Sequence, residues 1–270
     1  MSREVWLAAS FAEGIDYQAT MLQPVGGMDR IAAALARALG DAVVTGAEVL
    51  SLRRVEAGAR VTWRGADGTV RAEVAPRVLL ALPAPVLAVL DTDLSAARRA
   101  ALTGLHYSQA AKLAFLSERR FWEEDAAIYG GISWTARDAT QLWYPSHGFH
   151  AEKGVLVGAY IWDDDVAARF AALAPDARAV AMAADAEALH PGYAREVSAP
   201  VSVAWARMPR ARGAWAEWTA AQRTREYPLL RAPEGPYHFA GEYLSWLTGW
   251  QEGAVLSAWN ALEGLAGSQR

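Results

Sequence analysis

The chain has 270 residues and a formal net charge of −4, with 53% hydrophobic and 21% charged residues. This balance is typical of a folded globular protein and gives no reason to expect a nucleic-acid surface. The absence of cysteine excludes disulfides and thiolate chemistry. No apolar run reaches the length of about 18 residues that a membrane span needs, and no signal peptide is predicted. We therefore expect neither a nucleic-acid partner nor a membrane, and the cytoplasm is the default compartment.

The predicted elements alternate between helices and strands without a repeating strand–helix–strand unit. A turn at Gly26-Gly27 precedes an amphipathic helix, and three strands follow before residue 76. The apolar run from Val78 to Leu82, ended by Pro83, predicts a strand buried on both faces. Further patterns predict a helix over 93–102, strands within 108–116, 139–146 and 154–162, a helix over 175–189, and a closing strand and helix. The mixture predicts an α+β fold with a mixed sheet.

One lysine lies in an unusual position. Only two of the 26 basic residues are lysines, Lys112 and Lys153. In "YSQAAKLAFL" the strand alternation places Lys112 among apolar residues, where an ammonium needs a partner or titrates low. Two interpretations stay open at this point: a strand-edge lysine that reaches solvent, and a lysine that points into a cavity beside a cofactor or a water.

Three other polar or aromatic clusters invite a functional interpretation. In "QLWYPSHGFH" the adjacent rings of Trp143 and Tyr144 point to opposite faces of a strand, so that one is core and the other can line a pocket. The histidines of this stretch lack a third ligand, and no metal site is predicted. The run "WDDD", which ends at Asp165, is better explained as the cap of the following helix than as a metal site.

The end of the chain combines a strand, glycines, indoles and a helix. "HFAGEYLSWLTGW" runs into a helix whose apolar residues share one face. Its first turn presents unsatisfied N–H groups and the positive end of the helix dipole, which stabilise an anion or an electron-rich ring oxygen. Taken alone, the pattern is also that of a plain amphipathic helix after a loop.

Taken together, the motifs resemble those of a known family. "FAGEYLSWLTGWQEGAVLSA" resembles the C-terminal signature of the flavin amine oxidases, and "PVGGMDRIAAALA", "VLLALPAPVL", "LHYSQAAKLAF", "RRFWE" and "WYPS" occur in the family's order. The most similar branch is that of the L-amino-acid oxidases. The resemblance runs from about residue 20 to the end of the chain.

The resemblance implies FAD as cofactor and a role for each matching residue. Lys112 matches a lysine that holds a water against the flavin. Tyr144 matches a tyrosine that binds the substrate carboxylate. The other implied substrate residues are Trp215, Trp246, Gly249 and Trp250. The implied FAD-binding residues are Val49, Gly241, Glu242, Trp250, Gln251, Glu252, Gly253 and Ala254.

The implied reaction is FAD-dependent oxidation of an L-amino acid or related primary amine, with O2 as the electron acceptor. Indoles at the implied substrate site favour an apolar or aromatic side chain. Two alternatives stay open: a catalytically inactive amine-oxidase-like binding module, and a flavin monooxygenase of the tryptophan 2-monooxygenase type. Both use the same scaffold.

The chain departs from the family pattern in one respect. It contains no G-x-G-x-x-G segment between a strand and a helix, and not the arginine that the family contributes to the substrate carboxylate. We expect a partial FAD-binding region over 20–83, a substrate-binding domain over 84–205 and a C-terminal FAD-binding segment over 206–270. The expected partner is a complementary N-terminal FAD-binding chain or a second copy, docked on an exposed apolar seam. A split subunit, a processed product and an inactive remnant are all compatible with the sequence.

Overall fold

The computed structural model describes residues 22–267 and divides the chain into two compact units. The first comprises Met1–Val49 and Trp63–Arg71, and the second comprises Leu50–Thr62 and Ala72–Arg270. In the first unit, helix α1 spans Asp29–Leu39 and a 3-10 turn spans Gly40–Ala42. The helix has the predicted apolar stripe, yet none of its residues is buried.

The strands of the first third of the chain belong to two small sheets, one of which also contains a strand from near the end of the chain. Strands β1 (Glu48–Val55), β2 (Gly58–Arg64), β3 (Val70–Ala75) and β5 (Asp91–Thr92) form a sheet in the order β3-β2-β1-β5. Strand β4 (Val78–Leu80) pairs in parallel with β13 (Tyr237–Phe239). The predicted strand at Val78 is therefore present but shorter than its apolar run, because Pro83 precedes helix α2 (Ala84–Val89).

A five-stranded antiparallel sheet forms the largest core. Its strands are β7 (Ala111–Ser117), β8 (Gly131–Trp134), β9 (Gln141–Tyr144), β10 (Gly154–Ile161) and β11 (Val197–Ala204), in the order β11-β7-β10-β9-β8. Helices α5 (Asp164–Ala172), α6 (Pro175–Ala186) and α7 (Tyr193–Glu196) supply residues to the same apolar core as one face of this sheet. We call this the helix-covered face. The opposite face carries Lys112, because successive strand residues alternate between faces.

The remaining elements come before this sheet, between its strands or after it in the chain. They are α3 (Ala96–Gly104), β6 (His106–Tyr107), α4 (Phe121–Glu124), a 3-10 turn at Trp205–Arg207, β12 (Ala216–Glu217), α8 (Ala220–Arg231), a 3-10 turn at Glu242–Leu244 and α9 (Gln251–Gly267). The architecture confirms the predicted α+β class with parallel and antiparallel pairing. Across residues 22–267, every helix is too short or too polar to cross a bilayer. The domain division at residues 83 and 205 stays a prediction.

Candidate active site

Lys112 lies on the central part of the antiparallel sheet. Strand β7 alternates buried Ala111 and Leu113 with the exposed Lys112. Tyr160 of β10 and Val203 of β11 are its register partners. The ammonium lies 4.1 Å from the centroid of the Tyr160 ring, a cation–π contact that stabilises the charged form.

Desolvation around Lys112 has the opposite effect and favours the neutral amine. Although the residue as a whole is exposed, desolvation lowers the pKa of its ammonium. The two descriptions differ because a long side chain can keep part of its surface in solvent while its head group lies over an apolar ring. A lysine with a lowered pKa gives up its proton more readily than a surface lysine does.

A continuous series of aromatic rings starts at Lys112 and ends at Trp215. Tyr160 contacts Trp162 edge to face at 5.3 Å between ring centroids, and Trp162 contacts Trp215 in the same way at 6.3 Å. Trp134 adds a third edge-to-face contact to Trp162 at 5.9 Å. Trp215 was predicted from the sequence. Tyr160, Trp162 and Trp134 were not, because their contacts with one another and with Trp215 arise only in the tertiary structure.

Tyr144 lies on the other face of the sheet from Lys112. Its side chain is part of the helix-covered core, and its hydroxyl lies 2.6 Å from Nε2 of His190 and 2.9 Å from Oγ of Ser133. Trp143, the preceding residue, contacts Tyr160 instead, with 5.8 Å between ring centroids. The structure therefore does not bring Tyr144 together with Lys112. Its role at a substrate carboxylate stays a prediction, and its observed partners are those of a core tyrosine.

Trp215 lies against the turn that precedes the last helix. Gly249 has a φ of 82°, and a Cβ at this position would lie 3.4 Å from Cγ of Trp215. A side chain is therefore disfavoured at Gly249 by its backbone conformation, whereas a Cβ would make an ordinary van der Waals contact with the indole. Glu242 connects the two segments, since its carboxylate accepts hydrogen bonds from the N–H groups of Gly249 at 2.8 Å and Ala216 at 3.2 Å. Burial raises the pKa of this carboxyl group.

Trp246 belongs to a separate aromatic group. Its indole lies 4.7 Å from the Arg223 guanidinium carbon and contacts Tyr227 at 5.7 Å between ring centroids. The side chain is 73% exposed. Arg223 also lies 5.3 Å from the ring of Trp218 and donates a hydrogen bond to the Ser245 carbonyl. This cluster holds the 243–246 loop in place, and a substrate role for Trp246 stays a prediction.

The last helix begins where the sequence predicts, at Gln251. Within residues 22–267, the N–H groups of Gln251, Glu252 and Gly253 donate no hydrogen bond, whereas the Ala254 N–H donates to the Trp250 carbonyl at 3.3 Å. A Cβ at Gly253 would overlap the Leu247 carbonyl oxygen. The loop therefore packs closely against one side of the first turn, and the three N–H groups remain available to an acceptor.

The remaining predicted residues are placed as follows. The Gly241 N–H donates to Oγ of Ser257 at 2.7 Å, so that the end of β13 is tied to the last helix. Val49 is half-buried in the first unit, and its contact with a cofactor stays a prediction. Asp163 caps helix α5 by accepting from the Val166 N–H at 3.0 Å, which confirms the capping interpretation of "WDDD". Among residues 22–267, no three histidine or acidic side chains converge on a metal site.

A lysine on a sheet face, a series of aromatic rings and the start of the last helix are the features that the second unit contributes to the candidate site. The family follows from the comparisons. A model of the flavin containing amine oxidoreductases matches residues 2–263, and the chain belongs to this family. This confirms the predicted enzyme class and flavin cofactor.

Relatives with known names cover almost the whole chain. An L-amino-acid oxidase of Siganus canaliculatus is 30% identical over 264 residues, which are 96% of this chain and 49% of that protein. An L-amino-acid oxidase of Mus musculus is 33% identical over 276 residues, which are 97% of this chain and 42% of that protein. The chain thus spans about half the length of these relatives.

Solved structures show the same fold. A putrescine oxidase bound to putrescine superposes with a TM-score of 0.75 at 25% identity, covering 90% of this chain and 53% of that one. Cyclohexylamine oxidase from Brevibacterium oxydans IH-35A superposes with a TM-score of 0.75 at 20% identity and covers the same shares. At this level of identity the second likeness shows the fold alone. The fold class predicted from the sequence is confirmed.

The described residues fit a flavin. In the part of the chain that the structure describes, the N–H groups of Gln251, Glu252 and Gly253 donate no hydrogen bond, and they form the kind of donor set that an electron-rich ring edge needs. Lys112 lies at the other end of the ring series with a lowered pKa. Gln251, Glu252, Gly253 and Ala254 would hold the ring system, and Gly241 brings the strand end close to the helix.

Proposed function

We propose that the chain forms the substrate side of an FAD-dependent oxidase that deaminates an L-amino acid or a related primary amine. The observation that carries this proposal is the continuous series of contacts from Lys112 through Tyr160 and Trp162 to Trp215. An indole wall of this kind favours an apolar or aromatic substrate side chain. The L-amino-acid oxidases among the relatives support the substrate class.

Each residue has a defined task in this proposal. When bound, FAD supplies the acceptor for the two electrons and the hydrogen that leave the substrate α-carbon. Lys112 holds a water through Nζ, and its lowered pKa makes that atom give up its proton more readily than a surface lysine does. Trp215 and Trp162 bind the substrate side chain and exclude water from it. The N–H groups at the start of α9 stabilise negative charge on their ligand.

The two lysines of the chain provide the decisive experiment. Lys112→Met, measured in the flavin-loaded enzyme with a panel of apolar L-amino acids, is expected to lower the rate of oxidation by about 10²–10⁴-fold. Lys153→Met is the matched control, because Lys153 is paired with Glu118 on the surface. A Lys112→Met enzyme that oxidises amino acids and reoxidises at the wild-type rate would refute the assignment.

We further propose that a complementary FAD-binding half completes the enzyme, on the same polypeptide or on a separate chain. Strands β4 and β13 form a parallel pair of three residues each, and parallel sheets need more strands and cover on both faces to be stable. The last helix also presents Val255, Trp259 and Leu262, which are 45%, 62% and 51% exposed and lie on one face. A strand–helix unit with a phosphate-binding glycine turn fits both features.

Flavin binding tests this second proposal. We expect the chain expressed alone to be colourless or to bind FAD weakly, and to acquire flavin absorbance when it is co-expressed with such a unit. Stoichiometric FAD in the isolated 270-residue chain would refute it, and a stable homodimer would point to a second copy as the partner. Analysis of the product distinguishes the reaction classes, since a monooxygenase releases an amide, an oxidase a keto acid, and a silent module neither.

A further inference from the structure

Glu242 lies where three separate segments of the second unit meet. Its Oε2 accepts a hydrogen bond from the Gly249 N–H at 2.8 Å, and its Oε1 accepts one from the Ala216 N–H at 3.2 Å. Ala216 is also the register partner of Tyr107 in strand β6. The Glu242 side chain therefore joins the β6–β12 pair to the turn before the last helix.

The two backbone donors belong to neighbours of the proposed substrate residues. Ala216 directly follows Trp215, and Gly249 directly precedes Trp250. The segment of Trp215 is also paired with Ser108, whose N–H donates to the Trp215 carbonyl at 3.0 Å. A Cβ at Gly249 would lie 3.4 Å from the Trp215 ring. The carboxylate thus fixes the separation between an indole wall and the turn that opens the last helix.

A second glutamate of the chain shows that this arrangement is more than a local turn. Glu187 also accepts two backbone hydrogen bonds, from Gly192 at 2.7 Å and from Ala194 at 2.8 Å. Both of its donors lie within eight residues of it in the sequence, so that Glu187 stabilises one loop. One donor to Glu242, Gly249, lies equally near in the sequence, whereas the other, Ala216, lies 26 residues away and belongs to a separate segment. Burial, which raises the pKa of Glu242, would otherwise favour an apolar residue at this position.

We propose that Glu242 is a positioning residue, which holds the Trp215 indole against the Gly249–Trp250 turn and thereby sets the width of the pocket for the substrate side chain. This inference rests on the proposed function, because the pocket is that of the proposed oxidase. It is additional to the cofactor role that the family resemblance implies for Glu242, since a carboxylate has about four acceptor sites and the two N–H groups occupy one on each oxygen.

Amide hydrogen exchange of the full chain tests the positioning itself. Glu242→Gln replaces one acceptor oxygen by an NH2 group that opposes a backbone N–H. We expect the amides of Ala216 or Gly249 to exchange at least about tenfold faster, the factor that corresponds to one lost hydrogen bond to a charged group. Glu187→Gln, the matched control, is expected to accelerate only Gly192 and Ala194. Unchanged exchange at both Ala216 and Gly249 would overturn the inference.

Substrate selectivity tests the consequence for the pocket. In the flavin-loaded enzyme, Glu242→Gln is expected to lower the kcat/KM ratio of bulky to small apolar substrates by about tenfold, mainly through KM, while Glu187→Gln leaves it unchanged. An unchanged ratio overturns the role in the pocket. If Glu242→Gln does not unfold cooperatively, Glu242→Asp takes its place, because its carboxylate is one methylene shorter and withdraws from both N–H groups. Unchanged exchange at Ala216 and Gly249 in that variant overturns the inference. If no amine is oxidised, the proposed function fails, whereas the exchange result decides the positioning separately.

Discussion

Arg98 provides the sharpest test of what holds strand β13 in place. Its guanidinium is 2% exposed and lies 4.0 Å above the Phe239 ring, two residues before Gly241. It donates to the carbonyls of Leu230 at 2.9 Å and Ala232 at 2.7 Å, and to the carboxylate of Glu234 at 2.9 Å. Arg98→Met keeps most of the side-chain volume and removes all three donors.

The expected loss of stability follows from these three hydrogen bonds. Two buried carbonyls lose their donor at a cost of about 1–3 kcal/mol each. Removing one partner of a buried charge pair costs about 3–5 kcal/mol in total, and this figure includes the lost hydrogen bonds. Glu234 keeps its bonds from the N–H and hydroxyl of Ser95 at 2.8 and 2.9 Å, which limits the damage. We therefore expect the free energy of unfolding to fall by about 3–5 kcal/mol, or Tm by about 6–20 °C.

Urea unfolding followed by circular dichroism measures this difference. Arg169→Met is the control, because Arg169 is paired with Asp138 at 2.9 Å and both side chains are at least half exposed. Its effect is expected to stay within about 0.5 kcal/mol. A loss below about 1 kcal/mol for Arg98→Met would refute the reasoning, since it would mean that water or another donor replaces the guanidinium without cost.

Two further predictions concern single residues. In NMR spectra of lysine-labelled chain, we expect Lys112 to titrate at lower pH than Lys153, because burial lowers the pKa of Lys112 and the hydrogen bond with Glu118 raises that of Lys153. Since the folded pKa of Lys112 lies below its unfolded value, wild type should gain stability relative to Lys112→Met as pH rises through that interval; the reverse order of titration would contradict the desolvation. Gly158→Ala should cost about 1–3 kcal/mol in thermal unfolding, because its Cβ would lie 2.7 Å from the Phe115 ring, and a neutral effect would show that the core adjusts.

Much of the site was predictable because it depends on local sequence. The glycines around Trp250 and the apolar periodicity after it predict the turn and the helix that are observed. The alternation around Lys112 predicts a strand with an isolated charge, as found. These features follow from short-range sterics and from the period of a helix or strand, and neither depends on distant residues.

The sequence could place Trp143 and Tyr144 on opposite faces of a strand, but it could not say which face is covered. Helices packed on one side decide that Tyr144 is core, with His190 as its partner, and that Trp143 faces Tyr160. Local geometry is symmetric between the two faces, so only distant segments distinguish them.

The partners of charged groups were also decided by the tertiary structure. Glu242 lies inside a recognisable motif, yet its hydrogen bond from Ala216 depends on how a segment 26 residues away meets that motif. The same is true of Tyr160 over Lys112, which follows from the register of two strands. The sequence by itself determined the local elements and the family of this protein, because those depend on near neighbours. The contacts that shape its pocket arise only when the chain closes on itself, because hydrogen bonds and ring contacts require atoms within a few ångströms in space.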